Sequence, residues 1–439
     1  MSLTVLVVSH GHPQLSPGGA EQAAYQLFDG LRRVEGVKAH FLAWAKPTHF
    51  RPGQNFSNFR DCSDETIFCT DKFDRFYFSQ PSRRLQANFL TLLNRIDPDV
   101  IHFHHYLNVG LEFIAIARWT KPHVRILVTL HEYLAICHHF GLMVKTAHST
   151  LCHASEPAEC ARCFPQLTQD DFAQRELRIR SYFDQVDLFV APSEFLRDRY
   201  VAWGMPAGQI VVLDNGTRSV GSRLPRARVA KEGRVSFGYF GQIHPYKGLL
   251  ELLSAFAQLS KFPQQATKGI RLIIHGAHLE QNEPDYVASF QRLLANVATR
   301  VHFAGPYSHQ ELKRLMAEVD WVVVPSIWWE NSPLVIQEAF AHRRPVVCSN
   351  IGGMAEKVRP GLDGYHFPVG DAAALAKLLV KLAADGTIWD RLQTTMRRPM
   401  TMKQSVSAHL RLYRDRSLSS SVSRVSAYLD ANRSRRGGW

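Results

Sequence analysis

The sequence has no apolar run long enough to cross a membrane. Its hydrophobic stretches are strand-length, well short of the ~18 residues a spanning helix needs, which excludes a helical integral membrane protein. No basic leader with a cleavage site precedes the first apolar strand, Leu3–Val8, so the expected location is cytoplasmic. Cysteines number only 7, an odd count that argues against an exported disulfide framework. The full Gly-x-Gly-x-x-Gly fingerprint and a Walker phosphate loop are both missing, which removes the standard dinucleotide and P-loop readings. No short-period repeat or nucleic-acid-binding motif is present, so nucleic acid is not an expected partner.

What is present is the composition of a globular protein, 45% hydrophobic and 21% charged. At 439 residues the chain exceeds one ordinary core and suggests two domains of about 200 residues. Apolar runs at Leu3–Val8, Val37–Trp44, Val100–Phe103, Val124–Leu130, Leu188–Ala191 and Ile210–Leu213 alternate with helix-length periodic segments. A second series follows at Val235–Phe240, Arg271–His275, Val301–Phe303, Trp321–Pro325 and Pro345–Ser349. This is an α/β pattern of parallel, doubly wound sheets. We divide it into an N-terminal Rossmann-like domain (1–215), a polar, Gly-containing and basic linker (216–233), and a second Rossmann-like domain (234–400). A helix (401–417) and a basic tail (418–439) complete the chain. Net charge is +13, and from Arg397 onward ten Lys/Arg face only Asp415 and Asp430. That bias suits either a solvated tail or attraction to an anionic membrane surface.

The stretch from Trp321 to Glu338 organises the rest. It opens as a buried strand and turns through an aromatic loop to Ser332-Pro333, where Ser as N-cap and Pro in the first turn predict a helix over Leu334 to Ala341. The free N–H groups of such a helix, at the carboxyl end of a strand, favour a phosphorylated ligand. Glu330 and Glu338 bracket the helix start, seven residues intervening. Upstream, a strand ending Phe240-Gly241-Gln242 leads to Tyr246-Lys247-Gly248 at the expected start of the next helix. Lys247 opposes the dipole there unless phosphate is bound. In the first half, Leu3–Val8 runs into Gly18-Gly19-Ala20-Glu21, and two further strands end in His102 to His105 and in His131-Glu132. His131 is the candidate for a cleft role. Gly352-Gly353 with Glu356 repeats the glycine-turn theme, while Gly361 to Phe367 reads as tight turns.

Taken in order, the glycine loop at Gly18-Gly19, Gly241 through Lys247-Gly248, Glu330 through Glu338, and Gly352-Gly353 with Glu356 resemble the retaining GT-B glycosyltransferases (group 1, family 4 type) that carry two Glu separated by seven residues. The resemblance spans about residues 3 to 415. It implies a GT-B fold, two Rossmann-like domains facing across a cleft, and transfer of a sugar from a UDP- or GDP-sugar to a saccharide or lipid-linked acceptor. By position, Lys247 would neutralise the donor diphosphate, Gly18 and Gly19 would admit the phosphates, and Glu330 would hold the sugar hydroxyls. Backbone N–H groups near Leu334 and Val335 would meet the pyrophosphate, with Ser332 beside them. Glu338 would contact the ribose, and His131 the sugar near its anomeric carbon. Many members carry Arg where this chain has Gln242, which leaves more of the phosphate charge to Lys247. The last helix, about Gln404–Arg416, would return to the first domain. No divalent metal is expected to be essential, since no Asp-x-Asp pair is placed to hold one.

Two features stand outside that set. Cys137, Cys152, Cys160 and Cys163 fall within 27 residues, a spacing that suits a structural zinc with His138, His139, His148 or His153 as substitutes; unliganded thiols are the simpler alternative. Arg75 to Phe78 followed by Arg83, Arg84, Leu85 and Phe89 could form a membrane-facing amphipathic helix or an ordinary core helix with basic residues outward. The leading reading is an enzyme of cell-surface polysaccharide or glycolipid synthesis at the inner face of a membrane. An inverting or epimerising enzyme is disfavoured by the Glu330/Glu338 pair. A non-catalytic nucleotide-sugar-binding partner of a glycosylation complex is disfavoured by the intact His131, Lys247 and both Glu.

Overall fold

A computed structural model describes residues 2–16, 18–70, 72–147, 150–217, 234–415 and 417. It divides into two compact units, Met1–Gly216 with Met400–Trp439, and Thr217–Pro399. Residues 218–233, most of the linker assigned from sequence, and the basic tail from 418 onward lie outside the described residues.

The first unit holds eight strands among the described residues: β1 Leu3–Ser9, β2 Val37–Trp44, β3 Phe56–Phe59, β4 Cys62–Phe68, β5 Val100–Phe103, β6 Arg125–Thr129, β7 Leu188–Ala191 and β8 Ile210–Val212. Their order is β3-β4-β2-β1-β5-β6-β7-β8, parallel throughout except for the antiparallel β3–β4 pair. Strands β5, β6 and β7 are buried along their whole length, which explains why their sequences, VIHF, RILVT and LFVA, lack the apolar/polar alternation of a half-exposed strand. The β3–β4 hairpin escaped the sequence reading. Its turn is Arg60-Asp61, both at positive φ without a glycine, and β4 opens on polar Cys-Ser-Asp-Glu.

Helix Gly19–Leu31 buries Ala24, Leu27, Phe28 and Leu31 against Val5 and Phe41, and helix Met402–Arg414 adds Val406, Leu410 and Tyr413 to the same core. The latter starts two residues before the expected Gln404. Thr401 accepts the Gln404 N–H at 3.3 Å while the Gln404 side chain accepts the Thr401 N–H at 2.9 Å, a capping box that makes Gln404 the third helical residue. Tyr413 Oη and Thr129 Oγ1 bind the two nitrogens of buried His102 at 2.8 and 2.7 Å, fastening this helix to β5 and β6.

The second unit has six parallel strands: β9 Val235–Gln242, β10 Ile270–Ala277, β11 Val301–Gly305, β12 Trp321–Val324, β13 Val346–Ser349 and β14 Gly364–Phe367, ordered β11-β10-β9-β12-β13-β14. The tight-turn reading holds at Gly361–Asp363, but β14 corrects it for Gly364–Phe367, which pairs in register with Val346–Ser349. Pairing with a buried strand overrides the local preference of two closely spaced glycines.

Each sheet reverses direction once. In the first unit the chain builds outward from β1, then restarts at β5 on its other side; in the second it builds outward from β9 and restarts at β12. The crevice between two such strand ends is where open α/β sheets take ligands. The loops that leave β1, β5, β9 and β12 contain most of the residues singled out above.

The last turn of the second unit is held by Asp363, fully buried. It accepts Arg359 Nε at 2.6 Å and Nη2 at 2.8 Å, and Arg397 N at 2.8 Å and Nε at 3.0 Å. Burial alone would raise its pKa, but the Arg359 and Arg397 contacts hold it below the usual carboxylate value. A depressed carboxyl contributes stability above about pH 4 that is lost as pH falls. Asp363→Ala is expected to cost roughly 2–3 kcal/mol at pH 7, allowing for the partial exposure of both arginines. Thermal unfolding should show that gap closing below about pH 4.

Candidate functional site

At the switch point of the second unit, β9 ends at Gln242, and a 3₁₀ turn, Pro245–Lys247, precedes helix Leu249–Gln258. The helix therefore starts two residues after Lys247. Gly248 between them has φ +70°, and a Cβ there would run into the Pro325 carbonyl, so this crossing of β9 and β12 loops requires glycine. The close approach brings Lys247 Nζ within 2.6 Å of Glu330 Oε1. The same oxygen accepts Ser326 Oγ at 2.8 Å and Trp328 Nε1 at 3.0 Å. Lys247 also lies over the Trp328 ring, 5.4 Å from its centroid. The Glu330 backbone is fixed as well, its carbonyl accepting the Gly353 N–H at 2.7 Å. Lys247 and Glu330 thus share one place, and the lysine keeps 30% of its side-chain surface open. Sequence reasoning missed Ser326 and Trp328, whose only signal was their position in the aromatic loop.

Helix Leu334–Ala341 follows β12, and Leu334 and Val335 are its first two residues. Their N–H groups head the helix, where no intrahelical acceptor exists. Ser332 is not its N-cap. Pro333 takes that position with an extended ψ of 121°, and Ser332 Oγ instead accepts Gln337 Nε2 at 3.1 Å. Glu338, one turn on, faces His309 Nδ1 at 3.6 Å. Burial raises its carboxyl to about 7, and its charge in turn adds to the burial that pushes the Tyr307 hydroxyl up. Tyr307 and His309 come from the loop after β11 and gave no motif to find them by. Gln242 is exposed at the end of β9, where its carbonyl accepts the Tyr239 hydroxyl at 2.6 Å.

The first unit's switch point is a histidine cluster. His131 Nε2 and His104 Nδ1 lie 3.1 Å apart, and the His10 and His105 rings 4.0 Å apart. His10 Nε2 meets Glu21 Oε1 at 3.2 Å. Burial would raise Glu21, yet the His10 hydrogen bond brings it net below its ordinary value. His105 Nδ1 accepts the N–H groups of Tyr106 and Leu107 at 3.0 and 2.9 Å, so its proton sits on Nε2, 3.2 Å from Glu132 Oε1. Burial first, then the charge of His10, lowers His131 to about 3, so it is neutral near pH 7. Burial raises Glu132 to about 8. Gly18 is the N-cap of the first helix, and a Cβ there would meet the Glu21 carboxylate; Gly19 is the first helical residue. Of the expected residues in this unit, the structure brings His131 into the cluster that also holds Glu21, beside Gly18. His10, Glu21, Glu132 and His105 are additions, and their hint was only that several strands end in histidine.

Buried Arg175, from helix Gln169–Phe183, donates to the carbonyls of Phe76 at 2.9 Å and Ala135 at 2.6 Å and to that of Leu134, tying two loops of this edge together. Cys137, Cys152, Cys160 and Cys163 lie in the same region as thiols. Cys152 Sγ is 3.1 Å from the Ala154 carbonyl, Cys160 Sγ is 3.5 Å from Ser155 Oγ, and burial raises Cys137 to about 11. Among the described residues no group of three or more His, Cys, Asp or Glu is arranged to hold a metal ion, so the zinc expectation gains no ligand set; His148 lies outside them. Among the described residues no helix is long and apolar enough to cross a membrane.

Two doubly wound α/β units, each with polar and charged groups gathered at its switch point, define the fold. The family model for glycosyl transferases group 1 matches residues 234–385, and that for glycosyltransferase family 4 matches residues 17–218. The chain belongs to the GT-B glycosyltransferase family. A relative named lipopolysaccharide 1,2-N-acetylglucosaminetransferase, from Salmonella typhimurium, is 29% identical over 40% of this chain and 48% of its own length. A D-inositol 3-phosphate glycosyltransferase from Mycobacterium bovis is 26% identical over 77% of this chain and 64% of its own. The chain spans about half the length of the first curated relatives it matches. Among solved structures, HepE from Anabaena, in complex with UDP and glucose, has a TM-score of 0.63 at 17% identity, covering 93% of this chain and 99% of that one. Sucrose-phosphate synthase from Thermosynechococcus elongatus also has a TM-score of 0.63, at 18% identity, covering 98% and 100%.

The raised Glu338 carboxyl yields a test independent of ligand. A carboxyl whose folded pKa exceeds its unfolded value takes stability away as pH climbs from about 4.5 to 7, here by up to about 3 kcal/mol. Glu338→Gln is expected to raise the melting temperature at pH 8 and to leave it nearly unchanged at pH 5. Equal melting curves at pH 8 would show that the site does not strain this group.

Proposed function

We propose that this protein is a retaining glycosyltransferase that moves a sugar from a nucleotide-diphosphate sugar to a saccharide or lipid-linked acceptor in cell-surface polysaccharide or glycolipid synthesis. The observation that carries the reading is the Lys247–Glu330 pair at the second unit's switch point, Glu330 Oε1 taking three donors. Among the described residues nothing engages Glu330 Oε2, which leaves it to accept hydroxyls of the transferred sugar. Lys247 then turns to the diphosphate, and the N–H groups of Leu334 and Val335 share its charge. As the anomeric bond breaks the leaving diphosphate gains negative charge, and donors already in place stabilise it. Lys247 and the helix N–H groups perform this neutralisation. Gln242 adds hydrogen bonds but no charge.

Glu338 accepts the ribose hydroxyls. His131, neutral because it is buried among other histidines, acts as a hydrogen-bonding group to the sugar and does not serve as a base. The acceptor hydroxyl attacks the face that the diphosphate leaves, and a diphosphate oxygen takes its proton, which retains configuration. Several structural neighbours hold UDP or UDP-glucose, so a UDP-sugar is the donor to try first. The relative named for lipopolysaccharide supports a cell-surface product. Action in the cytoplasm, peripheral to the inner face of a membrane, belongs to the same reading.

The experiment is nucleoside diphosphate release from a panel of UDP- and GDP-sugars. Lys247→Ala and Glu330→Ala are each expected to cut turnover by at least 100-fold, and Glu338→Gln to weaken UDP binding while leaving the fold intact. Turnover that survives both alanine changes would remove the site assignment. Binding without turnover for every donor and acceptor would favour a non-catalytic partner.

A further inference from the structure

Resting on that reading, the first unit's switch point is the part of the chain left to take the acceptor, and its surroundings describe that acceptor. Three segments crowd the carboxyl edge of the sheet beside the loop leaving β1: the loop after β2, the loop after β4, and the start of helix Arg83–Ile96. They touch. Arg84 Nη2 donates to the Gly53 carbonyl at 2.8 Å, and Asn88 to Asn55 at 3.0 Å. Leu15 and Phe50 pack on one cluster with Ala45, Phe59 and Ile67, so the β1 and β2 loops are neighbours.

These segments carry Lys46, Arg51, Lys72, Arg75, Arg83 and Arg84, all exposed. Among the described residues none has a carboxylate partner. Asp74, the described acid of these loops, is tied to the N–H groups of Phe76 and Tyr77 at 2.8 and 3.0 Å. Other cations of the unit are paired, Arg33 with Asp29 at 2.6 Å, Arg118 with Asp187 and Arg178 with Glu112, both at 2.7 Å, while exposed Lys38, Arg60 and Arg95 also have no carboxylate partner among the described residues. Six exposed cations on one edge, with no carboxylate partner among the described residues, raise the local positive potential and attract an anion.

The apolar partners of these residues do not face outward. Leu85, Phe89, Leu92 and Leu93 are buried in the core, Phe78 is buried, and Phe76 packs edge-on to Phe172 and His138. The segment from Arg75 to Phe89 is therefore not an apolar face for a membrane, and its cations remain as a purely polar surface. We infer that this edge binds the phosphoester or pyrophosphate group of an anionic acceptor, and that an uncharged saccharide is a poor acceptor for this protein.

The test uses the full chain saturated with UDP, so that a probe cannot occupy Lys247. Binding of a hexose 1-phosphate and of geranyl pyrophosphate is compared with that of the free hexose and geraniol, by calorimetry at 50 and 300 mM NaCl. At least one phosphorylated probe is expected to bind ten-fold or more tightly than its uncharged counterpart, with the advantage shrinking in high salt. Which probe binds tells a saccharide phosphate from a lipid pyrophosphate. Arg51→Glu/Lys72→Glu/Arg83→Glu is expected to abolish the preference while UDP affinity and melting temperature stay at wild-type values. Charged and uncharged probes binding alike, or a triple variant with the preference intact, would overturn the inference. So would a preference confined to vesicles of phosphatidylglycerol, which would make the edge a membrane contact. Wild-type protein that fails to bind UDP but still prefers phosphorylated probes would sink the transferase reading and leave this one standing.

Discussion

The ion pair between Lys247 and Glu330 is the interaction from which the second unit's chemistry is built. It exists because two loops leaving adjacent parallel strands cross at van der Waals distance, with glycine at the crossing and a carbonyl where a side chain would otherwise be. A cation there would repel the helix end behind it, and the carboxylate offsets that. The same carboxylate is held by a serine and an indole, so its position does not depend on the lysine alone. Charges held by several partners at once are the kind that contribute most to a transition state.

The first unit solves a different electrostatic problem. It gathers histidines at strand ends and buries them, so that burial and mutual repulsion keep them neutral. Neutral imidazoles can still donate and accept, and the His105 tautomer is set by two backbone N–H groups. This leaves a lining of neutral imidazoles, with the Glu21 carboxylate among them, beside an edge that carries six exposed arginines and lysines.

The fold was legible where burial on both faces forces long apolar runs, as at Val100–Phe103 and Leu188–Ala191. It was not legible at Phe56–Phe68, because a hairpin turning through Arg60-Asp61 carries no glycine signal. Nor was it legible at Gly364–Phe367, where pairing with β13 makes a strand of residues that read locally as turns. Of the candidate site, Lys247, Glu330 and Glu338 could be picked out because their spacing follows a family pattern. Ser326, Trp328, His309 and Arg175 could not, since each matters through a partner that only folding brings near.

The sequence by itself determined that this is a pair of doubly wound α/β halves, that a helix begins near Pro333, and which acidic and basic residues flank it. Those follow from periodicity, turn chemistry and composition, which are local. The tertiary structure alone decided that Ser332 serves Gln337 and not the helix end, that burial raises the Glu338 carboxyl, and that six exposed cations on one sheet edge have no carboxylate partner among the described residues. The reason is physical: hydrogen-bond partners, desolvation and surface potential depend on distances across the chain, and no spacing along it encodes them.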